Sequence, residues 1–168
     1  MSNILVFDSG VGGISVVREI KKLLPTISID YLFDNLYYPY GELDEDTLIQ
    51  RLINIIGSVA VEHKPELIVI ACNSASTTAL PALRAKFDIP IVGVVPAIKP
   101  ASKLSHSKVI GLLATQGTIT RDYVEQLKVS HASDCELINV GSNELVAMAE
   151  TLYRGGKISQ QRLSDICQ

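Results

Sequence analysis

An α/β fold built on parallel strands is what this 168-residue chain predicts, and three observations carry that expectation. Short all-apolar runs such as Leu67-Ile68-Val69-Ile70 alternate with amphipathic stretches of helical period, polar or glycine-rich clusters follow those runs directly, and the unit repeats along the chain. Apolar runs without alternation suit strands buried on both faces, as in parallel sheets, and parallel neighbours need the crossovers that intervening helices supply. The length suits one domain or two small lobes.

Taken in order, residues 4–7 read as a strand, 8–13 as a glycine-rich turn, and 14–24 as an amphipathic helix stopped by Pro25. Residues 29–33 form the next strand, ending at Asp34. The acidic run 42–46 falls at the start of a long helix, where negative charge suits the helix dipole, and that helix ends near His63. After Pro65 comes the strand 67–70, then a helix over 77–86, a strand over 89–95, a helix from Pro96 and a strand over 109–114. Residues 136–140 make a last strand between two helices.

Composition excludes several classes. With 15 basic and 18 acidic residues, net charge −3, the chain has no electrostatic footprint for nucleic acid or an anionic membrane. The start Met1-Ser2-Asn3 lacks the basic opening and apolar run of a signal peptide, and no segment is long enough to span a bilayer, so a soluble cytoplasmic protein is expected. Three widely spaced cysteines, 72, 135 and 167, suggest neither a disulfide framework nor a zinc site. His63, His106 and His131 form no ligand pair and read as surface residues, so no metal is expected.

Chemistry concentrates at strand ends. Cys72 closes an apolar strand where a helix is about to begin, and free amides with the positive end of a helix dipole would favour its thiolate. Against this stands the plain alternative that a cysteine there is a small buried hydrophobe. Asp8-Ser9, Asp34-Asn35, Cys72-Asn73-Ser74 and Thr115-Gln116-Gly117-Thr118 all follow apolar strands, and ligands of parallel α/β sheets bind at that edge. Gly10-Val11-Gly12-Gly13 resembles part of a dinucleotide fingerprint, but Ser15 replaces its third glycine and the Asp8 carboxylate repels phosphate.

Together, Asp8-Ser9-Gly10-Val11-Gly12-Gly13, Tyr38-Pro39-Tyr40-Gly41, Ala71-Cys72-Asn73-Ser74-Ala75-Ser76, Gly93-Val94-Val95-Pro96-Ala97 and Leu113-Ala114-Thr115 resemble, in order and spacing, the successive motifs of the cofactor-independent glutamate racemases. The resemblance runs from residue 3 to about residue 153, with Ser74 where the family commonly has Thr. It implies a two-lobed α/β enzyme of three-layer lobes that inverts the α-carbon of glutamate without a cofactor, for peptidoglycan synthesis. Cys72 matches the cysteine that acts on the D enantiomer, and Asp8 a carboxylate that assists it and meets the substrate ammonium. Ser9, Tyr40, Gly41, Asn73, Ser74 and Thr115 match substrate-binding positions, and Asp34 and Glu150 further acidic positions of the site.

The resemblance also sets expectations that this chain does not meet. The second cysteine of the family lies in a Leu-Gly-Cys-Thr-His type motif that these residues do not contain. Cys167 continues a helical pattern from Ile158, and Cys135 sits in a polar loop; neither suits the role of second base. The chain is therefore expected to be truncated, with residues 1–97 forming most of the first lobe and 98–168 an incomplete second one. Uncovered sheet edges and helix faces would then favour a homodimer or other self-association. Three functions compete: a glutamate racemase represented by a fragment, a relative acting on aspartate or another amino acid, and an inactive module that binds an amino acid or a protein.

Overall fold

The computed structural model describes residues 3–166 and divides the chain into two compact units, Met1–Val95 and Pro96–Gln168. The first unit contains β1 (Asn3–Asp8), α1 (Ile14–Leu23), β2 (Ser28–Phe33), a 3-10 turn (Tyr40–Glu42), α2 (Glu45–His63), β3 (Leu67–Ile70), α3 (Asn73–Lys86) and β4 (Ile91–Gly93). Its four strands form a wholly parallel sheet in the order β2-β1-β3-β4. Every connection is a crossover, as parallel pairing demands.

Alternation along the central strands decides which helix covers which face. Leu5, Phe7, Ile68 and Ile70 point to one side and pack with Leu48, Leu52 and Ile56 of α2 and Ala75, Ala79 and Leu83 of α3. Ile4, Val6, Val69 and Ala71 point to the other, where Val16, Val17 and Ile20 of α1 meet them. Leu48, Leu52 and Ile56 recur at four-residue spacing and have no exposed surface, so this stripe holds α2 to the sheet. Truncating any of the three to alanine costs about 2–5 kcal/mol. Asp44 caps α2 by accepting the Thr47 amide at 2.9 Å, and Glu45 and Asp46 occupy its first turn.

The second unit contains α4 (Ile98–Leu104), β5 (Val109–Ala114), α5 (Gln116–Ile119), α6 (Asp122–His131), β6 (Glu136–Gly141), α7 (Asn143–Tyr153) and α8 (Gln160–Ile166). β5 and β6 pair in parallel. One face of this ribbon buries Ile110 among Ile98, Val124, Ala132 and Cys135. The opposite face leaves Val109, Leu113, Ile138 and Val140 exposed.

The boundaries of α3 and β4 differ most from the sequence expectation. Helix α3 begins at Asn73, not near residue 77, because Cys72 itself caps it and Ser76 anchors its first turn to the Ile70 carbonyl at 2.9 Å. Strand β4 covers only Ile91–Gly93 of the expected 89–95, since only that stretch has β3 as a partner.

Candidate functional site

The carboxyl ends of β1, β2 and β3 bring Asp8, Ser9, Asp34 and Cys72 to one edge of the first unit, each less than a tenth exposed. Parallel pairing is the cause. Phe7 lies in register with Ile70, and Asp8 with Phe33, so the residues just beyond these strands emerge side by side. The Ala71 amide donates to the Phe7 carbonyl at 2.7 Å and the Asp34 amide to the Asp8 carbonyl at 3.3 Å, extending the ladder into the polar edge.

Cys72 occupies the junction itself. Its sulfur accepts the Ala75 amide of the first turn of α3 at 3.4 Å and lies 3.5 Å from the Ser9 hydroxyl. The thiol expected to be activated by its helix is nonetheless pushed up, to about 11. Burial is the main cause and the Asp8 charge the next; the contacts from Ser9 and Ala75 act in the opposite direction and are outweighed. The sequence shows the helix start but not the depth of the thiol or the carboxylate facing it. At neutral pH Cys72 is therefore a protonated thiol.

Asp8 is held by the loop that follows it. One carboxylate oxygen accepts the Gly13 amide at 2.7 Å, at the point where α1 begins. That amide is thus satisfied by the chain's own carboxylate, which further weakens the dinucleotide reading. Gly13 is required by close approach: a Cβ there would stand 2.8 Å from Asp8 Cβ, 2.9 Å from the Tyr31 hydroxyl and 3.1 Å from Ala71 Cβ. Asp30, farther back on β2, accepts from Asn3 at 2.7 Å and pairs with His63 at 2.9 Å.

Asp34 and Tyr40 meet each other. The Tyr40 hydroxyl donates to Asp34 Oδ2 at 2.7 Å, and Arg51 of α2 grips the same carboxylate by two bonds, Nε to Oδ2 at 2.8 Å and Nη2 to Oδ1 at 3.0 Å. Burial opposes the charge on Asp34, but Arg51 and Tyr40 outweigh it and hold the carboxyl below its usual range. Burial and the Asp34 carboxylate raise Tyr40 well above the ordinary phenol range, so its hydroxyl stays neutral. Tyr40 packs against Phe7 with ring centroids 5.8 Å apart, in the cluster that includes Cys72. Gly41 is buried beside it.

Asn73 and Ser74 open α3, with Asn73 exposed and Ser74 buried. Arg51 was not singled out in the sequence. A signal existed, because this lone cation lies three residues after Leu48 and four before Ile55 on the packed side of α2, where a charge needs a partner. Nothing in the sequence identifies that partner.

Thr115 and Glu150 lie in the second unit. Thr115 caps α5 by accepting the Thr118 amide at 3.2 Å, and Glu150 of α7 lies 3.6 Å from Arg154. Cys135, also in that unit, is buried beside Asp134, and its thiol is raised first by burial and then by that carboxylate. Cys167 lies outside the described residues. The three histidines are exposed. Among the described residues no group of three potential metal ligands occurs, and no helix is long and apolar enough to cross a membrane.

A wholly parallel α/β unit with a buried thiol and a buried carboxylate at its strand ends defines the class of fold. The model of the Asp/Glu/hydantoin racemase family matches residues 15–162, and the chain belongs to that family. A glutamate racemase of Photorhabdus laumondii is 49% identical over 163 residues, which are 97% of this chain and 57% of that protein. The crystal structure of Escherichia coli glutamate racemase in complex with L-glutamate and the activator UDP-MurNAc-ala superposes with a TM-score of 0.93 at 47% identity, covering 98% of this chain and 62% of that one. Glutamate racemase from Francisella tularensis in complex with D-glutamate gives a TM-score of 0.77 at 25% identity, covering 93% of this chain and 58% of that one. The chain thus spans little more than half the length of these relatives.

Proposed function

We propose that this chain carries the Cys72 half of a two-base glutamate racemase, and that Cys72 exchanges the α-proton of D-glutamate. The observation that carries the proposal is the pairing of a buried thiol with a buried carboxylate at one strand edge, in a chain about half identical to glutamate racemases. Asp8 raises the Cys72 thiol while the site is empty. A substrate ammonium drawn to Asp8 offsets that charge and brings the thiol toward ionisation when there is a proton to remove. The ammonium also stabilises the carbanion beside it.

Charge developing on the α-carboxylate needs fixed donors in a dry site. The Ser9 hydroxyl, the side chains of Asn73 and Ser74 and the amides of Tyr40 and Gly41 are proposed for that task. The neutral, committed hydroxyl of Tyr40 makes its backbone, and not its phenol, the substrate contact. For Thr115 and Glu150 the proposed substrate roles rest on family likeness alone. Inversion requires an acid on the opposite face of the α-carbon. Residues 1–95 contain no second cysteine.

The proposal extends to a cytoplasmic protein serving peptidoglycan synthesis and to self-association through the apolar face of β5 and β6. The substrate is tested by proton NMR in deuterated buffer with both enantiomers of glutamate and of aspartate. Loss of the α-proton from D-glutamate, with aspartate unchanged, is expected; exchange of aspartate alone would transfer the site to another amino acid, and no exchange at all would favour a binding module.

A further inference from the structure

We infer that Arg51 is a positioning residue of the Cys72 site, holding the turn around Tyr40 closed over the thiol. This inference builds on the racemase reading but is tested separately from it. Three loop residues depend on this one side chain. Its guanidinium takes both oxygens of Asp34, at 2.8 and 3.0 Å, and lies over the Tyr37 ring at 4.6 Å from its centroid. Asp34 in turn accepts the Tyr40 hydroxyl at 2.7 Å. A planar fork that grips a carboxylate and stacks on an aromatic ring is a geometry lysine cannot reproduce.

The chain of contacts runs from the second turn of α2, through the end of β2, to the 3-10 turn, and Tyr40 delivers it to the packing around Cys72. Asp34 is only 5% exposed and spends its charge on Arg51, so it is not the carboxylate that meets a substrate ammonium. Its part is to fix the Tyr40 hydroxyl and with it the turn that Tyr40 and Gly41 form. Loosening Arg51 therefore opens the cover of Cys72 without altering Cys72, Asp8 or Ser9.

The test compares iodoacetamide alkylation of Cys72 and Cys135 in the full chain, read peptide by peptide by mass spectrometry, for wild type and Arg51→Lys. Cys135 belongs to the other unit and serves as the internal control. Alkylation of Cys72 about fivefold faster, with Cys135 unchanged, is expected from local opening of the turn. Equal acceleration of both thiols would mean that Arg51 only supports global stability, and no acceleration would mean that the turn stays closed without it; either overturns the inference. Should Arg51→Lys fail to fold, Arg51→Met with Asp34→Asn removes both charges and carries the same comparison. In an active protein Arg51→Lys should also raise the half-saturating D-glutamate concentration about tenfold while the saturating exchange rate changes little. A wild type that exchanges no α-proton would sink the racemase reading, and the ratio of the two alkylation rates would still decide the role of Arg51.

Discussion

Ser9 Oγ and Cys72 Sγ stand 3.5 Å apart, although 63 residues separate them in the chain. The contact joins the ends of β1 and β3 and supplies Cys72 with a hydroxyl that stabilises its thiolate. Ser9→Ala should remove that support and raise the thiol further. The pH profile of Cys72 alkylation measures the shift, and an unchanged midpoint would show that Ser9 is a bystander.

Asp8 has opposite effects on the empty and occupied site. Asp8→Asn should lower the Cys72 midpoint from about 11 toward the ordinary thiol range, because a negative neighbour is lost. The same change should weaken capture of the ammonium and slow α-proton exchange by about tenfold or more. Faster alkylation combined with slower exchange is the expected signature, and both moving together would contradict it.

The raised thiol has a consequence for stability. An unfolded cysteine ionises near 9.0 whereas Cys72 in the fold ionises near 11, so between these values the unfolded chain gives up a proton that the folded one keeps. Stability should be intact below pH 9 and fall as pH rises toward 11, by about 3 kcal/mol at most. Urea denaturation across that range measures the fall, and Cys72→Ser should flatten it.

At the other end of the sheet, Asp30 accepts from Asn3, is opposed by its own partial burial, and is further held down by His63, with a net pKa below the usual carboxyl range. A depressed carboxyl stabilises the fold above its unfolded pKa and loses that contribution as pH falls through the folded value. Asp30→Asn should therefore reduce stability at pH 7 by less than about 1 kcal/mol, as for a partly exposed pair, and make no difference at pH 2.

The bare face of the second unit gives a further expectation. Leu113 is 59% exposed on a parallel ribbon, beside Val140 in register. Leu113→Lys should shift the protein toward monomer in analytical ultracentrifugation, and an unchanged distribution would remove this face from self-association.

How much of this was legible in the sequence follows from the physics of each feature. Strands such as Leu67–Ile70 are all-apolar and bounded by turn residues, so their existence and edges could be read directly. Parallel order then brought Asp8, Asp34 and Cys72 to one edge without any structure. Of the two readings of Cys72 the helix effect is the one outweighed, because helix polarity is written locally whereas burial and the Asp8 charge arise only when β1 and β3 pair. Asp34 was expected only as a further acidic position of the site: its partner Arg51 lies 17 residues away on a helix face, and the sequence carries no sign of their meeting.

The central proposal is that Cys72 handles the α-proton, and the measurement that tests it most directly is proton NMR of D-glutamate in deuterated buffer with wild type and Cys72→Ser. Wild type should erase the α-proton signal, and the serine variant, equally folded by circular dichroism, should leave it intact because a hydroxyl is far too weak an acid to serve as the base. Exchange that persists in Cys72→Ser would remove Cys72 from the chemistry.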